Sequence, residues 1–138
     1  MNKFNLKLIA PDGVKYEAEA TAVKLPTPDG EIEILPNHMP LVSLLSPGEI
    51  VILNNSETKY LATEGGVVEI ADNLVKVLAD TAEEANDLDE MKIVQAKKAA
   101  EERLSNAKNS VEFTEAQALL EKQLAKIRFL GRRKRKHL

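Results

Sequence analysis

Apolar residues recur at every second position through much of the first eighty residues. Phe4, Leu6 and Leu8 alternate with Asn5, Lys7 and Ile9, and Val14, Tyr16 and Ala18 alternate with Lys15, Glu17 and Glu19. Ile32 and Ile34 alternate with Glu31 and Glu33, and Ile50 and Ile52 with Glu49 and Val51. A period of two marks strands with one face available for burial. Turn signals separate them: Pro11-Asp12-Gly13, Pro26-Thr27-Pro28-Asp29-Gly30, Pro47-Gly48, Asn54-Asn55, Gly65-Gly66 and Asp72-Asn73. Residues 21–25, 41–45, 59–63, 67–71 and 74–78 complete nine or ten short strands. Pro26 is expected to stop the third, and residues 41–45 are apolar enough to lie in a core. Turns every eight to twelve residues argue for an antiparallel sandwich or barrel.

Beyond residue 85 the period changes. Asn86 reads as a helix N-cap, with Asp87, Asp89 and Glu90 in the first turn, where the helix dipole favours acids. Ile93, Ala96, Ala100 and Leu104 then form a stripe at helical spacing. Residues 104–110 are a break. A second helix starts near Val111, or near Glu115 if Thr114 and Gln117 form a capping box. Its stripe is Phe113, Ala116, Leu120, Leu124 and Ile127. Gly131 is expected to end or fray it. The fold class is therefore α+β, an N-terminal antiparallel β-sandwich of about ten strands over residues 1–85 and a C-terminal two-helix hairpin over residues 86–138. An alanine-rich hairpin of this size is marginal alone, and marginal packing suits a mobile element.

Charge follows the same division. Residues 1–85 hold six lysines and no arginine against fourteen acids, a net charge of −8. Residues 86–138 hold thirteen bases against eight acids, net +5, for an overall −3. Two modules with different partners are implied. There is no cysteine, so thiol chemistry and cysteine metal sites are excluded. The two histidines, His38 and His137, are remote from each other and make no metal site. No apolar run approaches the ~20 residues of a membrane-spanning helix, and the N-terminus has no signal-peptide core, so a cytoplasmic location is expected.

Pro36 and Pro40 bracket Asn37 and His38, which makes a stiff loop that presents its tip reproducibly. Taken by itself, His38 reads as a loop histidine with an ordinary hydrogen bond. The surrounding residues carry more. The run from Gly30 to Gly48 (G-E-x-x-I-L-P-x-H-x-P-L-V-x-x-L-x-P-G) resembles the signature of the epsilon subunit family of bacterial rotary F-type ATP synthases, called delta in mitochondria. Gly65-Gly66-Val67-Val68-Glu69-Ile70, Asn73 and the run from Val75 to Glu83 match the same family in register.

The resemblance implies a flattened two-sheet sandwich on the rotor, bound to the gamma subunit. It also implies one end resting on the polar loops of the ring of c subunits, with Glu31 and His38 at that contact. It implies helices that open and enter the catalytic head formed by the alpha and beta subunits. There Lys122, Lys126, Arg128, Arg132, Arg133 and Arg135 would meet acidic residues and block ATP hydrolysis, a contact that salt should weaken. The expected function is thus a non-catalytic central-stalk subunit, peripheral to the cytoplasmic face of the bacterial cell membrane. Some relatives bind ATP through Ile/Leu-Asp-x-x-Arg-Ala. Here Leu88-Asp89-Glu90-Met91-Lys92-Ile93 keeps Asp89 but places Lys92 where the arginine fork would grip phosphate, so weak or absent nucleotide binding and no cofactor are expected. The competing reading is a nucleic-acid-binding module using residues 132–136. Against it, no aromatic residues interleave with the bases to stack on nucleotides.

Overall fold

The computed structural model describes residues 2–135, with side chains as far as Arg133. They fall into two compact units that divide between Glu84 and Ala85. The first contains nine strands, β1 (Phe4–Ala10), β2 (Gly13–Ala20), β3 (Ala22–Thr27), β4 (Gly30–Ile34), β5 (Leu41–Leu45), β6 (Gly48–Asn54), β7 (Glu57–Thr63), β8 (Gly66–Ala71) and β9 (Leu74–Ala79). They form two sheets of order β2-β1-β9-β8-β5 and β4-β3-β6-β7. Pairing is antiparallel except between β1 and β9, which run parallel with Leu6 beside Val75 and Leu8 beside Val77.

Alternation decides the core. Phe4, Leu6 and Leu8 of β1, Val75 and Val77 of β9, and Val68 and Ile70 of β8 point inward and are buried. Val23, Leu25, Ile34, Ile50, Ile52 and Leu61 meet them from the other sheet. Full burial of each large side chain contributes on the order of 1.5–3 kcal/mol.

Two strand expectations are corrected. Pro26 does not stop β3, which runs on through Thr27. β6 pairs only with Ala22, Val23 and Lys24, so the missing proline N–H falls where that ladder has ended. The Pro26 carbonyl instead accepts the Ser46 N–H at 3.0 Å. Residues 41–45 are not wholly a core segment: β5 is an edge strand whose Val42 and Leu44 point outward, 71% and 64% exposed. After β9, the chain crosses to the second sheet and pairs with the edge of β7. Ala62 and Glu83 exchange both backbone N–H···O bonds, at 2.8 and 3.0 Å, Ala82 is buried, and Lys59 meets Glu84 at 3.4 Å.

The second unit is a 3-10 turn (Ala85–Asp87) followed by α1 (Glu90–Ser105) and α2 (Ser110–Arg135), packed as a hairpin. Asp89 caps α1, not Asn86: its side chain accepts the Lys92 N–H at 3.2 Å. Asn109, not Thr114, caps α2. Its Oδ1 accepts the Glu112 N–H at 2.9 Å, while Glu112 reaches back to the Lys108 N–H at 2.9 Å, a reciprocal cap that satisfies donors on both sides. Gly131 neither ends nor breaks α2, which continues to Arg135. Of the expected stripes, Ile93, Ala100 and Ala116 are buried, Ala96 and Phe113 are exposed, and Leu104, Leu120, Leu124 and Ile127 are half-buried. Arg103 and Glu115 bridge the two helices at 3.9 Å; with both side chains exposed, that pair adds little.

Gly66 has φ 147° and lies so close to β9 that a Cβ would overlap the Leu78 carbonyl oxygen and stand 2.9 Å from the Ala79 Cα. Gly66→Ala should therefore cost upward of about 3 kcal/mol. Gly13→Ala, at φ 134° with nothing within 4 Å, should cost about 1–2 kcal/mol from backbone strain alone. Urea denaturation of the two variants checks the difference, and equal losses would show that the close approach of β8 and β9 is not the cause.

Candidate functional site

The outward face of the five-stranded sheet is built from rows of directly paired residues. Val14 pairs with Ile9, Ile9 with Leu78, Leu78 with Val67 and Val67 with Leu44, so five apolar side chains cross all five strands in one line. Val14, Leu44, Val67 and Leu78 are exposed, and Ile9 is partly so. The neighbouring row is Glu17, Lys7, Lys76, Glu69 and Val42, and Lys7 meets Glu17 at 3.3 Å. An apolar line beside a charged one, on an otherwise acidic unit, is the anatomy of a docking face with a polar rim. Sequence reasoning missed it because each strand contributes a single residue. The signal was present in strands that fail to alternate, such as Leu44-Leu45, Val67-Val68 and Val77-Leu78.

The pairing also fixes which loops share an end of the sandwich. At one end lie the Asp12 turn, the Pro28-Asp29 turn leading to Glu31, and the Glu64 and Asp80 loops. Lys15 donates to Asp12 there at 2.7 Å and holds that carboxyl below its ordinary pKa. Glu31 is exposed here, paired with Pro26. At the opposite end lie the start of β1, the turn between β8 and β9, and the loop between β4 and β5 that carries His38. The structure therefore does not bring Glu31 and His38 together: they stand off opposite ends of β4. His38 is half-buried, and its Nδ1 lies 2.7 Å from the Met39 carbonyl oxygen, which places the ring proton on that nitrogen. Met39 is 74% exposed.

On α2, Lys122 and Lys126 are half-buried, whereas Arg128 and Arg132 are exposed. Arg133 is only 8% exposed, and its guanidinium lies 5.9 Å from the centroid of the buried Phe129 ring, a cation–π geometry. In this conformation Arg133 is not presented to a partner. The side chains of Lys134 and Arg135, and all of Lys136 and His137, lie outside the described residues. Asp89 is engaged as the cap of α1, and Lys92 is exposed one turn on. Among the described residues no cluster of histidine, aspartate and glutamate could hold a metal, and no helix is long and apolar enough to cross a membrane.

Residues 3–85 match the family described as ATP synthase, Delta/Epsilon chain, beta-sandwich domain. Residues 86–131 match ATP synthase, Delta/Epsilon chain, long alpha-helix domain. The chain is similar to the ATP synthase epsilon chain of Acidithiobacillus ferridurans, 41% identical over 93% of this chain and 91% of the relative. It is also 34% identical to that of Alkalilimnicola ehrlichii, over 99% and 98%. In fold it resembles a chain of the Euglena gracilis mitochondrial ATP synthase, OSCP/F1/c-ring structure, with a TM-score of 0.78 at 20% identity over 91% of this chain and 79% of that one. A chain of the Tetrahymena thermophila mitochondrial ATP synthase central stalk/c-ring structure gives 0.68 at 16% identity, over 91% and 95%.

Asp89→Ala should destabilise the start of α1 by about 1 kcal/mol, seen as faster amide exchange at Lys92 with the strand amides unchanged. ATP added to the full chain should leave the amide resonances of Asp89 and Lys92 unshifted. A shift that saturates in the micromolar range would show that Lys92 serves in place of the arginine fork.

Proposed function

The chain belongs to the ATP synthase delta/epsilon family, and on that premise we propose that it is a non-catalytic central-stalk subunit that couples rotation to ATP synthesis and restrains ATP hydrolysis. The observation that carries the coupling half is the apolar row from Val14 to Leu44. It offers the gamma subunit a rigid hydrophobic face on an acidic sandwich, and a rotor component must be held by such a face to turn without slipping. Peripheral attachment on the cytoplasmic side of the membrane follows from that partner.

The separation of Glu31 from His38 divides their roles. The acid-rich end, with Asp29 and Glu31, is the one we assign to the ring of c subunits, where carboxylates can make charge-assisted bonds to cationic loops. His38 belongs to the other end and is left out of that contact. The restraining half rests on α2. Lys122, Lys126, Arg128 and Arg132, with Arg133 and Arg135 once the helix is extended into the head formed by the alpha and beta subunits, would meet acidic residues of the beta subunits. Arg133 must first leave Phe129. Asp89 and Lys92 serve the helix start and its surface, with no nucleotide.

Among the described residues nothing favours the nucleic-acid alternative. Phe129, the aromatic nearest the basic residues, is buried and cannot stack on a base.

Leu44→Glu places a charge at the β5 end of the docking face without touching the core. It should weaken reassembly with complex stripped of this chain by roughly thirtyfold or more, while the denaturation midpoint stays within a degree or two. Undiminished reassembly would remove the sheet face from the interface. Separately, ending the chain after Glu84 in the assembled enzyme should raise ATP hydrolysis and leave synthesis coupled. If hydrolysis does not rise, the helices are not a restraint.

A further inference from the structure

The turn between β8 and β9 contains two consecutive residues in the left-handed region, Asp72 at φ 50° and Asn73 at φ 60°. The type of tight hairpin they make favours asparagine or glycine at these positions. Asn73 does more than close the turn. Its Oδ1 accepts the Asn37 N–H at 2.8 Å, and its Nδ2 donates to the Lys3 carbonyl at 2.9 Å. The Asn5 N–H is bound in turn by the Asn73 carbonyl at 3.1 Å. One half-buried amide thus ties together segments 36 and 70 residues apart in sequence.

The segment it holds is the Pro36–Pro40 loop. Asn37 sits there at φ 63°, a conformation an asparagine tolerates but that needs support. Two residues on is Met39, 74% exposed just before β5, and the chain then runs into Val42 and Leu44 of the docking face. Without the Asn73 bond the loop would have prolines at its ends and no fixed point between them.

We propose that Asn73 is a positioning residue for partner docking, holding the loop so that Met39 continues the apolar face of the five-stranded sheet around its β5 edge toward the gamma subunit. This rests on the docking reading given above. The side chain touches no partner itself; it lowers the ordering cost of a loop that does.

Asn73→Gly keeps the left-handed backbone and removes both side-chain bonds, whereas Asn73→Asp keeps the acceptor for the Asn37 N–H and loses only the donor to the Lys3 carbonyl. In the full chain, Asn73→Gly should speed amide exchange at Asn37 by roughly tenfold or more relative to the core amides of Val68 and Val77. It should also weaken reassembly with stripped complex by roughly tenfold. Asn73→Asp should restore Asn37 protection and most of the affinity, a rescue that loss of general stability would not give. The inference is overturned if Asn37 exchange is unchanged in the glycine variant, if exchange rises with no loss of assembly, or if Val68 and Val77 open as much as Asn37. Leu44→Glu, measured alongside, separates the two ideas. Loss of assembly in Leu44→Glu but not in Asn73→Gly removes only the role of Asn73. Retention in both removes the docking face itself.

Discussion

Register is the constraint on which the molecule depends. In a strand, one residue of slip moves every side chain to the other face, so β1, held between β2 and β9, must be paired correctly twice. The parallel match of Leu8 to Val77 on one side and the antiparallel match of Leu8 to Tyr16 on the other put the core residues inward together. The pairing with β9 also sets Ile9 beside Leu78 on the outside, while on the other side a register shift between Leu8 and Ile9 brings Val14, in place of Lys15, next to Ile9. Core and outer row thus share the β1–β9 alignment, and the irregularity in β2 completes the outer row at its far end.

Much of this was legible beforehand. The strands of residues 4–8 and 14–18, the break near residue 85 and the helical period after it follow from local pattern. What was not legible was non-local or a contest between close alternatives. Nothing in residues 5–9 announces that they will lie parallel to residues 74–78. The run Leu41-Val42-Ser43-Leu44-Leu45 reads as core because an edge strand with apolar residues on both faces looks like a buried one. Asn86 and Asp89 are both good caps, and the choice went to Asp89 because residues 85–87 make a 3-10 turn, with the Leu88 N–H bound to the Ala85 carbonyl at 3.2 Å. A glycine in a helix costs about 1 kcal/mol, which was too little to end α2 at Gly131.

The candidate site was read less completely than the fold. Glu31 and His38 are seven positions apart, near enough in the sequence to suggest one contact. β4 is extended, at about 3.3 Å per residue, and carries them to opposite ends. The basic residues of α2 were visible as a charge run, but a run says nothing of which members face solvent. Arg133 lies over Phe129 and Arg128 does not, a difference set by where each falls around the helix. Asn73 could be quoted from the sequence, whereas its bonds to Asn37 and Lys3 exist only once three distant segments meet.

The strap formed by residues 80–84 has a mechanical meaning. Because Glu83 is bonded on both sides to Ala62 and Ala82 is sunk beside it, a pull on the chain beyond Glu84 is met first by this short stitch and not by β9. Tension arriving from the C-terminal side would thus be grounded on the rim of the smaller sheet, leaving the central strands of the larger one unloaded. The stitch works as a strain relief, like the clamp that keeps a tugged cable from tearing at its solder joint.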